Sequence, residues 1–188
     1  MSTTLVLSEQ QALSFVLDFM KNSTNGESFV VSGNRDGLLG TRNLNATIKK
    51  TLYPQKPGNP SHPDANGDLV TPGDRITFLR NDPQFGIVNG DCVRVTHISE
   101  NFLTVRIASG VKVTISLATV PFALAYAMSY HRWQGQHADS ALFIGQDAAT
   151  ISANFTPDFL SRMASQAPRN VTFLRQNADG GFIFQQFA

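Results

Sequence analysis

Between Ser129 and Gln134 the chain sets a hydroxyl, an imidazole, a guanidinium, an indole and an amide close together, in the order Ser129-Tyr130-His131-Arg132-Trp133-Gln134. Arg132 is a phosphate-seeking cation, and Ser129 can donate to a backbone phosphate. Trp133 can stack on an unpaired base, a contact worth about 1–3 kcal/mol. Each residue also has a plainer use. Ser129 can satisfy the main chain beside a strand end, His131 can be a hydrogen-bonded structural histidine, and Arg132 an ordinary surface cation. Trp133 is costly to leave in water, which favours packing in the core or at a partner interface. A second basic set, Arg80 and Asn81 followed by Arg94, Arg106 and Lys112, can track a strand backbone. Asp74, Asp82 and Asp91 are interleaved with it, which favours a solvated surface of mixed charge.

Several chemistries are absent from the inventory. A nucleotide motor needs a phosphate cradle with a lysine, a metal-holding acid and cations that meet developing charge. The pattern G-x-x-x-x-G-K-[ST] occurs nowhere, and Gly33 to Gly40 lacks both the lysine and the hydroxyl at that spacing. No nucleophile, base and orienter trio stands out, so no catalytic residue is assigned. His62 and His97 have no carboxylate or cysteine partner at ligand spacing, and His137 is a pH-sensitive group only in the sense that any histidine is. The single cysteine, Cys92, cannot form an internal disulfide. No metal and no cofactor are expected.

A chain of 188 residues with 41% hydrophobic and 15% charged content can bury a core as one domain, or as one domain carrying a small insertion. Lys+Arg 15 against Asp+Glu 14 gives a formal charge of +1, so any affinity for a polyanion must be local. The first residues carry no basic start followed by an apolar stretch, and no segment approaches the roughly 18 apolar residues of a membrane span. A cytoplasmic location without a membrane partner is the expectation.

The elements that must position these groups follow from periodicity. Ser8 stands three residues before Gln11, and Leu13, Val16, Leu17 and Met20 then recur at helical spacing, predicting a helix over Glu9–Lys21. Ser28–Ser32 reads as a buried strand and Asn43–Tyr53 as a second helix, followed by a loop with prolines at 54, 57, 60, 63 and 72. Short alternating runs at Arg75–Leu79, Cys92–His97, Phe102–Ile107 and Val111–Ile115 predict a small antiparallel barrel. Periodicity shifts again at Phe122–Met128. Ala141–Ile144 and Val171–Leu174 read as buried strands around a helix near Asp158–Ala164. The economical architecture is an α/β domain, residues 1–68 and 122–188, interrupted by a barrel at 69–121.

Four stretches carry a family resemblance. Val31-Ser-Gly-Asn-Arg35-Asp-Gly37-Leu-Leu-Gly40 with Leu44-Asn45 resembles a strand, arginine, glycine-rich turn and "LN" helix. Gly73-Asp74-Arg75, Arg80-Asn81-Asp82 and Gly86-Ile-Val-Asn89-Gly90-Asp91 resemble the start of an inserted barrel. Ala125-Tyr126-Ala127-Met128-Ser129-Tyr130-His131-Arg132-Trp133-Gln134-Gly135 resembles the pattern "AYAxTxHKxQG". Phe155 to Leu174 sits where a helix ending in "YVALSRAR" precedes a last strand. Together they resemble the C-terminal RecA-like lobe, with its SH3-like barrel, of RecD-type superfamily 1 helicases, including the helicase parts of conjugative relaxases.

The resemblance implies that His131, Arg132 and Gln134 lie at the nucleic-acid face or couple it to the nucleotide cleft, with Ser129 in the threonine position. It implies that Arg35 is the arginine that reaches a nucleotide phosphate. It places Gln166 where the arginine finger belongs and Pro168 at the next arginine, with Arg162 or Arg169 able to substitute in another register. Glutamine supplies no cation. Where the family has an acid after Gln-Gly, this chain has Gln136-His137. The expected function is therefore that of a degenerate, non-catalytic helicase lobe in DNA processing or conjugative transfer, binding single-stranded DNA or a partner protein. The alternatives are an excised second lobe of an active helicase and a pure protein-interaction module.

Overall fold

The computed structural model describes residues 6–23, 27–107, 110–146, 157–167 and 170–187. In chain order the elements are β1 (Val6–Leu7), α1 (Glu9–Asn22), β2 (Ser28–Ser32), α2 (Thr41–Leu52), β3 (His62–Pro63), β4 (Leu69–Val70), β5 (Arg75–Phe78), β6 (Cys92–Ile98) and β7 (Phe102–Arg106). They continue with β8 (Lys112–Ser116), β9 (Phe122–Leu124), β10 (Ala127–Ser129), α3 (Tyr130–Trp133), β11 (Ser140–Gly145), α4 (Pro157–Gln166), β12 (Asn170–Gln176) and β13 (Phe182–Phe187). Two compact units result, Met1–Ile48 with Ala127–Ala188, and Lys49–Tyr126.

The first unit is built on a six-stranded sheet in the order β1-β13-β12-β11-β2-β10. β10, β2, β11 and β12 run parallel, while β13 and β1 close one side antiparallel. Every residue of β2 is buried, and so are Ala141 to Gly145 of β11, as central strands covered on both faces require. α1 begins with the reciprocal cap its sequence predicts: Ser8 Oγ accepts from Gln11 N at 3.2 Å, and Gln11 Oε1 accepts from Ser8 N at 2.8 Å. Its Ala12, Leu13, Val16, Phe19 and Met20 are buried. Each removes apolar surface from water, at about 25 cal/mol per Å².

α2 starts two residues before the predicted Asn43, because Gly40 lets the chain double back. A Cβ on Gly40 would lie 2.3 Å from the Asp36 carbonyl oxygen. Within α2, Leu44 is buried and Asn45 clamps β10: its Nδ2 donates to Ala127 O at 2.8 Å, and its Oδ1 accepts from Ala127 N at 2.9 Å. The "LN" pair is thus an apolar anchor and a backbone clamp. β13 adds a strand beyond those that periodicity predicts, and Asn177 to Gly181 forms the turn of the β12–β13 hairpin.

The second unit holds a five-stranded antiparallel sheet in the order β8-β7-β6-β5-β9. Alternation works as expected along β7, where Leu103 and Val105 are buried while Phe102 and Arg106 are exposed. The register slips at Thr96, so Val95 pairs with Val105 and His97 with Thr104. The segment from Pro54 to Pro72, expected to be an unbroken loop, contains the β3–β4 pair. Asp64 organises it: Oδ1 accepts from Asn66 N at 2.7 Å and Asp68 N at 3.0 Å, and Oδ2 from Leu124 N at 2.8 Å. No helix among the described residues is long and apolar enough to cross a membrane.

Candidate nucleic-acid interface

Ser129 ends β10 beside Ser32 of β2, and α3 follows as a single turn. Tyr130 and Trp133 are the inward residues of that turn. Tyr130 donates its hydroxyl to Ile144 O at 2.6 Å. Trp133 is 0% exposed, with its ring 5.8 Å from both Phe29 and Phe143. Between and after these anchors, His131, Arg132 and Gln134 face solvent. The turn closes where Gln136 N donates to Trp133 O at 2.9 Å. Gln134 at φ −58, ψ 121 and Gly135 at φ 84 give this closure the angles of a type II turn, which explains glycine after the glutamine. Ser129 makes no side-chain cap bond to α3 and is half-buried.

Trp133 therefore corrects one sequence candidate. A fully buried indole cannot stack on a base, and the cost of exposing so large an apolar ring explains why packing wins. Its Nε1 is buried without a hydrogen-bond partner among the described residues. The sequence signal for burial was present in the spacing of two aromatics three residues apart, Tyr130 and Trp133, which one helical turn places on one side.

Arg35 is exposed in the loop before α2, at the carboxyl end of β2. In that loop Asn34 O and Arg35 O accept from Thr41 N and Arg42 N, at 3.0 and 3.1 Å. Beneath it Ser32 Oγ donates to Leu39 O at 2.7 Å, and Gly33 N to Ile144 O at 3.2 Å, tying the loop to β11. In order of sequence, β10 lies to one side of β2 while β11 and β12 lie to the other, so the chain reverses direction at the β2–β11 boundary. Open α/β sheets form ligand crevices at such carboxyl-end switch points.

Gln166 is the last residue of α4; its carbonyl accepts from Ala138 N at 3.0 Å, and its Oε1 is buried without a partner among the described residues. Arg162 is exposed on α4. Pro168 and Arg169 lie outside the described residues. The helix ends at Gln166, as a proline two residues on favours.

In the second unit, Arg80 and Asn81 are exposed but engaged locally. Arg80 Nη2 donates to Thr119 O, and Asn81 Oδ1 accepts from Asn89 N at 2.7 Å. Asp82 caps the Pro83–Phe85 turn through Gln84 N, and Asp91 Oδ2 accepts from Val88 N. Asp74, expected on a solvated surface, is buried instead. Its Oδ2 accepts from Lys49 Nζ at 2.6 Å, Thr71 N at 2.7 Å and Thr71 Oγ1 at 3.1 Å, and its Oδ1 accepts from the Tyr126 hydroxyl at 2.6 Å. Lys49 and Asp74 side chains are only 8% and 3% exposed. Burial, then the Asp74 charge, holds the Tyr126 phenol well above its ordinary pKa of 10.0. Tyr53 stacks on Tyr126 with ring centroids 4.9 Å apart. No group of three or more His, Cys, Asp or Glu side chains arranged for a metal ion occurs among the described residues.

No family model matches the chain, and no curated protein matches it in sequence. Solved structures do match. A Pif1 helicase from Bacteroides in complex with ADP-AlF3 and single-stranded DNA has TM-score 0.56 and 18% identity, over 87% of this chain and 45% of that one. Bacteroides Pif1 bound to single-stranded DNA has TM-score 0.51 and 18% identity, over 82% and 43%. Pif1 helicases at forked duplex DNA give TM-score 0.51 and 18% identity, over 85% and 44%. This chain thus spans less than half the length of each of these three helicase chains. At this identity the likeness establishes the fold alone: a mixed α/β architecture shared with part of the Pif1 helicase structures.

Proposed function

We propose that this chain is a helicase-derived module that holds single-stranded DNA and does not hydrolyse ATP by itself. The observation that carries the reading is the α3 turn, where Tyr130 and Trp133 are anchored in the core and His131, Arg132 and Gln134 are held out to solvent at the end of a sheet-edge strand. Preorganised cationic and amide donors bind a phosphate backbone without further ordering cost. The fold is shared with Pif1 helicases that were solved with single-stranded DNA. The finer assignment is to the RecD type: a lobe of residues 1–68 and 122–188, carrying an SH3-like barrel at 69–121 and kept in a DNA-processing or conjugative setting. Without the G-x-x-x-x-G-K-[ST] pattern, and with glutamine at position 166, the lobe lacks groups that phosphoryl transfer requires. On this reading it is vestigial as a motor, and Arg35 is left as a remnant of the nucleotide cleft.

The test is titration of a fluorescent single-stranded oligonucleotide with wild type and Arg132→Ala at low and moderate salt. Micromolar, salt-sensitive binding weakened by Arg132→Ala is the expected result. Absence of binding by folded wild type would reject the DNA reading and favour a protein-docking module.

A further inference from the structure

The outer face of the second unit's sheet carries an arrangement that folding alone does not explain. Arg94 of β6 stands directly opposite Arg106 of β7, and Arg106 directly opposite Lys112 of β8. All three are exposed. Like charges directly opposite across antiparallel strands destabilise a sheet, and Arg106 has a cation on both sides. Arg106 Nη1 donates to Gly110 O at 3.4 Å, and Arg94 Nη1 donates to Gly73 O at 3.0 Å.

The next outward row contains His97, Thr104 and Thr114, and the two threonine hydroxyls lie 3.0 Å apart. In the third row Phe102 faces Ser116 and is 51% exposed. Across the three rows, at a strand spacing of about 4.8 Å, the face therefore presents a line of cations, a line of hydrogen-bonding side chains and an exposed aromatic ring. None of these cross-strand pairs includes an acid. In a chain with net charge of only +1 this is a local concentration of positive charge.

We infer that this face binds a single-stranded nucleic acid, with Arg94, Arg106 and Lys112 along its phosphates and Phe102 against a base. A cationic track beside a stacking ring is the chemistry of sequence-tolerant single-strand binding. An acidic protein surface would use the cations but leaves Phe102 and the hydroxyl row without a role. The inference rests on the reading of the chain as a single-strand binder and adds a contact surface in the other unit, separate from the α3 turn.

The experiment measures affinity for a fluorescent oligothymidylate over a range of salt, together with thermal midpoints. Arg106→Thr keeps a strand-forming residue and removes the central cation. It is expected to weaken binding roughly threefold to tenfold and to flatten the slope of log affinity against log salt by about 0.7. The same substitution is expected to raise the low-salt thermal midpoint, since it relieves repulsion. Arg106→Lys should retain most of the binding. Phe102→Ala should weaken oligothymidylate and leave inorganic polyphosphate unaffected. If Arg106→Thr folds poorly, Lys112→Thr at the end of the row provides the same reading.

Wild-type affinity in Arg106→Thr, with binding lost in Arg132→Ala, would overturn this inference and leave the proposed function standing. Unchanged affinity in both would remove both readings. Equal competition by polyglutamate, with Phe102→Ala silent, would assign the face to an acidic protein and overturn it as well.

Discussion

The α3 turn and the Asp74 network use similar side chains to opposite ends. Around Asp74, a carboxylate, an ammonium, a threonine and a phenol consume one another's hydrogen-bonding capacity inside the second unit. In α3, the anchoring is done by Tyr130 and Trp133, and the polar groups between and after them are left facing water. The contrast separates charge used within the fold from charge left facing solvent. Sequence distance marks the difference: Lys49 and Asp74 meet across 25 positions, whereas the exposed groups of α3 sit beside the aromatics that hold them.

Substitutions should break this contrast in graded fashion. Asp74→Ala leaves a buried ammonium, a buried phenol and a main-chain N–H without their acceptor. It is expected to cost about 3–5 kcal/mol by urea denaturation. A loss under 1 kcal/mol would mean that water reaches Lys49 and that the network is not sealed. Trp133→Ala comes next at about 3 kcal/mol, from the cavity left against Phe29 and Phe143. Trp133→Phe should then keep DNA affinity, because the ring packs and does not stack on a ligand.

Tyr126→Phe removes a hydrogen bond to a charged acceptor, at about 1.5–3 kcal/mol. It also carries a pH signature. The native phenol holds its proton above the ordinary value of 10.0, so both states are protonated below that pH and the stabilisation is complete there. As pH rises past 10.0 the unfolded chain loses the proton while the native network keeps it, and stability falls. The phenylalanine variant should therefore show a shallower alkaline decline in its unfolding midpoint. A slope identical to wild type would show that another group titrates there. Smallest in stability is Arg132→Ala, expected within about 0.5 kcal/mol of wild type while oligonucleotide affinity drops.

Local signals carried much of the first unit in advance. The Ser8–Gln11 pair marked the start of α1, and the apolar run Ser28–Ser32 marked β2 to the residue, because both depend on neighbours in sequence. In the second unit's sheet, β5 to β8 were legible from alternation, whereas β9, three apolar residues paired with β5, was not. What was missed depends on distant partners. Asp74 looked like surface charge because Lys49 lies elsewhere in the chain. Asp64 and the β3–β4 pair were hidden in a proline-rich stretch, since the carboxylate's role becomes visible only when Leu124 N arrives at it. The cost of leaving an indole in water already favours packing for Trp133, and its spacing with Tyr130 points the same way.

The Asn45 clamp has a consequence of its own. β10 is the last strand of its sheet, and a terminal strand with idle ladder groups is a template on which another chain can add itself. Asn45 occupies both the N–H and the carbonyl of Ala127 with one amide, which stands in for the missing neighbour. A side chain on α2 thereby closes that border to foreign strands at Ala127, where β10 begins.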